Sequence, residues 1–128
     1  MNPTIDLLTS HRSIRKFTDE PIDPALFQRR IEAGQAAASS SFLQGVTIMR
    51  VTDPDKRAAF KEITGGQTYV EAAPEFLVFC ADLSRPMRCC TEHGCSPSEG
   101  LTEPFIIATV DVALYAQNVA VAADSAGL

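Results

Sequence analysis

His11-Arg12-Ser13-Ile14-Arg15 puts two guanidiniums, an imidazole and a hydroxyl within five residues of an otherwise acidic chain. Eleven Lys plus Arg stand against 16 Asp plus Glu, so this local positive charge is not a by-product of a basic composition. A spacing of three predicts Arg12 and Arg15 on one side of a helical turn. Planar guanidiniums grip phosphate oxygens with paired, charge-assisted hydrogen bonds, and Ser13 can add a third donor. The stretch therefore reads as a small phosphate site, against the plainer alternative of a solvated basic turn.

Outward from it, Pro21-Ile22-Asp23-Pro24 predicts a turn followed by a helix, with Asp23 as N-cap and Pro24 at the first helical position. Leu26, Phe27, Arg30, Ile31 and Gly34 recur with helical spacing up to Ala36-Ala37-Ala38, and Ser39 to Ser41 ends the run. On the other side, residues 2–10 read as a short amphipathic helix with Ile5, Leu7 and Leu8 on its apolar side and Thr4 as cap. Ile14 and Phe17 read as core.

Further along, Gly45 to Val51 predicts a strand. Thr52-Asp53-Pro54 repeats the cap-then-proline device for a helix through Ala58, Phe60 and Ile63, which Gly65-Gly66 stops. Tyr69 to Ala73 predicts one helical turn. Glu75 to Ala81 is a near-continuous run of β-formers, suited to a strand covered on both faces. Leu83 to Gly100, with Pro86, Gly94, Pro97 and Gly100, reads as a loop. From about Glu103, Phe105, Ile107, Ala108, Val112, Ala113, Tyr115, Ala116, Val119, Ala120 and Ala123 predict a long helix. It is apolar nearly all round, so it is expected to be deeply buried or packed on a partner helix.

Bulk properties narrow the function classes. A length of 128 residues allows one domain, 45% apolar residues support a core, and a net charge of −5 argues against nucleic acid or an anionic membrane surface. Apolar runs such as Phe76 to Ala81 fall far short of the roughly 20 residues of a membrane span. The start, Met-Asn-Pro-Thr-Ile-Asp, shows no secretory pattern. Of four cysteines, three crowd into Cys89 to Cys95, which fits reduced thiols and a cytoplasmic location. Cys89-Cys90-Thr91-Glu92-His93-Gly94-Cys95 carries the ligand types for zinc, but within one heptad rather than two separated hooks. A loop of reactive thiols is the expected reading, with no metal site, and Cys80 reads as a core residue.

Taken in order, His11-Arg12-Ser13-Ile14-Arg15-Lys16-Phe17, Ser39-Ser40-Ser41-Phe42-Leu43-Gln44, Thr64-Gly65-Gly66-Gln67 and Phe79-Cys80-Ala81-Asp82 resemble the FMN-dependent nitroreductase family. The likeness is strongest to its NADPH-dependent, oxygen-insensitive major nitroreductase and flavin reductase P branch, and it runs from about residue 5 to the end. It implies an α+β fold of three α-β-α layers, here incomplete: helices around a central sheet, with a long buried helix. Because members are roughly twice as long, residues 1–128 are expected to be the N-terminal part of an FMN-binding domain, without its C-terminal half. The resemblance implies FMN-binding roles for His11, Arg12, Ser13 and Arg15 at the phosphate, Ser39 near the polar tail and Gln67 at the ring. It assigns Ser40, Ser41 and Phe42 to a substrate pocket lent by the neighbouring subunit of a homodimer. A plain helix end for Ser39 to Ser41 and a plain loop amide for Gln67 are the alternatives.

The chemistry so implied is hydride transfer from NAD(P)H through FMN to a small-molecule acceptor. Nitro compounds, quinones, free flavin and azo dyes all suit such a pocket. Because the flavin does the chemistry, no catalytic triad is expected. The rival expectation is a non-catalytic, dimerising remnant of such an enzyme.

Overall fold

The computed structural model describes residues 2–97, 100 and 102–128. Helix α1 spans Pro3–Ser10 and α2 spans Pro24–Gln35; a short turn, Ser40–Phe42, leads into strand β1, Val46–Arg50. Then come α3 (Pro54–Ile63), α4 (Tyr69–Ala72), strand β2 (Leu77–Ala81), α5 (Ser84–Glu92) and α6 (Thr102–Ser125). The architecture is α+β, with helices around a small sheet and one long helix against it.

Local chemistry starts the helices where the sequence indicates. The Asp23 carboxylate accepts from the Leu26 N–H at 2.9 Å, that of Asp53 accepts from the Asp55 and Lys56 N–H groups, and a proline follows each cap. For α1 the cap is Asn2 rather than Thr4: the Asn2 side chain accepts from the Thr4 and Ile5 N–H groups, so Thr4 already sits inside the helix.

The strands pair antiparallel, Val46 opposite Ala81 through Arg50 opposite Leu77. A strand enclosed on both faces is not what β2 becomes. Its residues, Cys80 among them, are half-buried and Ala81 is exposed, because the sheet has two strands and one helical cover. Glu75 holds Arg50 through both guanidinium arms, and the Arg50 guanidinium lies 4.4 Å from the Phe27 ring centre. The same Glu75 charge faces Arg30, whose half-buried guanidinium has its pKa lowered by desolvation and partly restored by that carboxylate.

Core formation centres on α6, which lies across α2, both strands and α1. Its buried face is Ala108, Asp111, Tyr115 and Val119, spaced by three and four residues as one helical face requires. Opposite, on α2, a Cβ on Gly34 would stand 2.7 Å from Val119 Cγ2, so the two helices approach at a distance only glycine permits. The Asn118 amide donates to the Ala33 carbonyl at 3.0 Å beside this contact. By length and composition α6 could cross a bilayer, with 24 residues and mean hydropathy 1.6, contrary to the expectation from the shorter apolar runs. Its buried Asp111 and its seat on α2 and the sheet make it the core helix of this fold. Burial is one-sided, however: Phe105, Ile106, Val110 and Leu114 are exposed.

Two further expectations change. Residues 84–92, expected as loop, form α5; Ser98 and Glu99 of the same stretch lie outside the described residues. Pro86 is compatible with that helix because it sits in the first turn, where N–H groups have no intrahelical partner anyway. Ile14 and Phe17, expected in the core, are 58% and 46% exposed. They ride on a non-helical surface segment, where the Phe17 ring meets that of Tyr69 edge-on, ring centres 6.5 Å apart.

Candidate functional site

Helix α1 ends at Ser10, and His11 turns the chain into an extended path with φ −49° and ψ 136°. The cationic motif is therefore not a helical turn, and the i,i+3 argument for Arg12 and Arg15 does not apply. What gathers the side chains is the C-terminal end of α6. His11, Arg12, Ser13, Ile14 and Arg15 line an open concavity of about 320 Å³, whose opposite wall is Tyr69, Ala120, Ala123, Asp124 and Leu128. His11 Nδ1 lies 2.8 Å from the Asp124 carboxylate, tying the motif to α6. Small residues at Ala120 and Ala123 leave the space.

Electrostatically the concavity keeps its cations in hand. Arg12 donates to the His11 carbonyl at 2.6 Å, and Arg15 reaches the Ser13 carbonyl at 3.5 Å. Among the described residues neither guanidinium pairs with a carboxylate. Both motif side chains are exposed, so each retains donors for an anion.

The serine segment is built differently. Ser39 Oγ donates to the Asp111 carboxylate at 2.9 Å and accepts from the Gln44 N–H at 2.8 Å. The Ser40 N–H donates to both oxygens of Asp111, at 3.2 and 3.3 Å. Asp111 is 2% exposed. Held there, the chain adopts positive φ at Ser41 (50°), Phe42 (56°) and Gln44 (51°), a region that costs non-glycine residues roughly 1–3 kcal/mol each. Phe42 is left 78% exposed at the crest. From the first turn of α5, Arg85 donates to the carbonyls of Gln44 (3.2 Å) and Val46 (2.6 Å), closing the segment from below.

Five residues of the cationic motif thus converge. Ser39, Ser40, Ser41 and Phe42 do not join them within one chain, because Asp124 lies thirteen residues beyond Asp111 on α6, roughly 20 Å at 1.5 Å per residue. Gln67 is exposed in the turn between α3 and α4, two residues before Tyr69 of the concavity wall, and is not itself part of that wall. A second, larger hollow of about 480 Å³ beside β1 is lined by Ile31, Gln35, Gln44, Thr47, Ile48, Arg85 and Tyr115 among others. Its one cation, Arg85, is already engaged by backbone carbonyls, so the smaller concavity is the better anion site. At Cys89 to Cys95 the helical path of α5 turns neighbouring side chains apart. Among the described residues no three His, Cys, Asp or Glu side chains are placed to hold a metal.

Residues 8–128 match the profile of the nitroreductase family. The chain belongs to that family. An oxygen-insensitive NADPH nitroreductase of Salmonella typhimurium is 46% identical over 128 residues, all of this chain and 52% of the relative. An NADPH-flavin oxidoreductase of Vibrio harveyi is 47% identical over the same span, again 52% of the relative. Nitroreductase A from Vibrio parahaemolyticus superposes with a TM-score of 0.92 at 46% identity, covering 99% of this chain and 53% of that one. This chain thus spans about half the length of the curated relatives it matches, and its nitroreductase fold agrees with the α+β class read from the sequence.

Asp111 and Asp124 escaped the sequence reading. Both are single acids inside an apolar helical run, and the partners that explain them are 72 and 113 residues away in sequence. A carboxylate on the buried face of a helix, in register with Ala108, Tyr115 and Val119, was the available signal.

Proposed function

We propose that this chain supplies the flavin-phosphate grip of an FMN-dependent oxidoreductase that passes hydride from NAD(P)H to a small acceptor such as a nitroaromatic, a quinone or free flavin. The observation that carries the reading is the convergence of Arg12, Ser13 and Arg15 on one concavity, in a chain of the nitroreductase family. Two guanidiniums that, among the described residues, pair with no carboxylate, together with a hydroxyl, are the donor set that a phosphate monoester takes, so the residues fit the group. The names of the relatives, NADPH nitroreductase and NADPH-flavin oxidoreductase, support the same donor and cofactor. When bound, FMN supplies the two-electron chemistry. Arg12 and Arg15 would neutralise the phosphate, Ser13 would add a hydrogen bond, and the His11–Asp124 pair would fix the motif on α6.

The same reading takes Ser39 and Gln67 as further flavin contacts and Ser40, Ser41 and Phe42 as the acceptor pocket. It takes the working unit as a cytoplasmic homodimer. The separation of about 20 Å along α6 supports a site completed by a second copy, since one chain cannot bring the serine segment to its own cationic motif. Exposed Phe105, Ile106, Val110 and Leu114 on α6 give such a copy an apolar face to cover.

Titration of the purified chain with FMN, followed by flavin fluorescence, tests the grip. Saturable quenching that weakens in Arg12→Ala and Arg15→Ala is the expected result, and unchanged fluorescence overturns the reading. A second reading, a dimerising segment without turnover, is favoured by the exposed α6 face. NADPH oxidation by the chain with a quinone acceptor eliminates it, and FMN binding without oxidation supports it.

A further inference from the structure

We infer that Cys90 and Cys95 form a peroxide-sensitive modification site, a dithiol held ready to close as a disulfide across the C-terminal cap of α5. The observation is the cap's hydrogen-bond pattern. The Cys95 N–H donates to the Cys90 carbonyl at 2.8 Å, and the Gly94 N–H donates to the Thr91 carbonyl at 3.1 Å. Together with Gly94 at φ 72°, these define a Schellman turn, in which the residue two beyond the cap folds back on the third-last helical residue. Those two positions meet side chain to side chain in such turns, usually as an apolar contact. Here both are cysteine.

With standard backbone bond lengths, an N···O distance of 2.8 Å between the two residues keeps their Cα atoms within about 6.7 Å of each other. Disulfides need about 4.4–6.8 Å, a range that this bound admits. Gly94 is required at the reversal: another residue there would strain the turn that brings the thiols together. Cys95 is exposed and Cys90 is half-buried, an order that makes Cys95 the first to react and Cys90 the one that resolves it. Cys89 is not the partner. It lies about 100° further round the helix and faces His93, with Sγ 3.8 Å from Nδ1.

The chemistry balances with hydrogen peroxide as oxidant. The Cys95 thiolate attacks one peroxide oxygen, the S–O bond forms as the O–O bond breaks, and hydroxide leaves to take up a proton as water. Cys95 is then a sulfenic acid. The Cys90 thiolate attacks its sulfur, the S–S bond forms, and the S–OH oxygen leaves as a second water. Two thiols are oxidised and one peroxide is reduced to two waters. This inference stands on the α5 cap alone and does not rest on the proposed flavin site.

The test is mass spectrometry of the intact chain after brief exposure to hydrogen peroxide. The expected result is a loss of about 2 Da, the two hydrogens removed in forming a disulfide. Cleavage after Arg88, Glu92 and Glu99 should then release Cys89–Glu92 joined to His93–Glu99 through sulfur. The link should persist in Cys89→Ser and vanish in both Cys90→Ser and Cys95→Ser. Dithiothreitol should reverse it. A link that survives in Cys90→Ser, disulfides only between chains, or oxygen addition without a link would each overturn the inference.

Discussion

The middle and the C-terminal end of α6 treat charge in opposite ways. Near its middle, Asp111 is buried and spends its carboxylate on the Ser39 hydroxyl and the Ser40 N–H. Near its end, Arg12 and Arg15 lie exposed over a concavity and donate to nearby backbone carbonyls. An internal carboxylate with all its bonds made is a structural tie. External guanidiniums with unspent donors are what an anion site requires. Substitutions at the first should therefore be read in stability, and at the second in affinity.

The largest expected effect is at Asp111. Asp111→Ala removes the acceptor of a part-buried hydroxyl and a part-buried N–H, and each such loss costs up to roughly 1–3 kcal/mol. We expect a loss of about 2–5 kcal/mol in urea unfolding, with the Ser39–Gln44 segment becoming sensitive to proteolysis. A change below about 0.5 kcal/mol would mean that the serine segment holds its positive-φ shape unaided.

Next comes the opposite region. Arg12→Ala and Arg15→Ala should each weaken FMN binding by roughly 10- to 100-fold, since a hydrogen bond to a charged group contributes about 1.5–3 kcal/mol. Neither should shift the urea midpoint by more than experimental error. A large stability loss without an affinity change would reverse the contrast and make the motif structural.

Gly34 tests the scaffold between them. Gly34→Ala places a methyl 2.7 Å from Val119 Cγ2, and a β-branched valine on a helix has no alternative rotamer to retreat into. The overpacking cost of about 1–3 kcal/mol outweighs the gain of roughly 1 kcal/mol that alanine has over glycine in a helix. We expect a net loss of up to about 2 kcal/mol, recovered in large part by adding Val119→Ala. Non-additivity in that double mutant is the decisive measurement.

Legibility divided along the same line. The caps at Asp23 and Asp53 could be read because capping is local, a carboxylate and the N–H groups two or three residues on. The cationic motif could be read because five neighbouring residues carry its chemistry. Its backbone could not, since whether α1 continues past Ser10 depends on where α6 lies. The α5 helix stayed hidden because Pro86 reads as a breaker unless the helix start is already known to fall at Ser84. Ile14 and Phe17 look like core from composition alone, yet no second layer of this chain covers them. The Asp111–Ser39 tie spans 72 residues, and no periodicity within α6 points to its partner.

The smallest effect lies between the two regions, at Asp82, the residue after β2. Its pKa is held down to about 2, first by the Ser84 hydroxyl at 2.6 Å and the Thr47 hydroxyl at 2.5 Å, then by the Ser84 N–H and the charge of Arg85. A carboxylate with a depressed native pKa binds protons more readily unfolded than folded. Its stabilisation is therefore complete above the unfolded value near 4, and falls away as pH drops from about 4 through about 2. The group is solvent-accessible, so screening keeps the amount to under about 1 kcal/mol. Asp82→Asn should lower stability slightly at pH 7 and flatten the acid limb of the stability curve between those two values. Unchanged steepness there would assign acid sensitivity to other carboxylates.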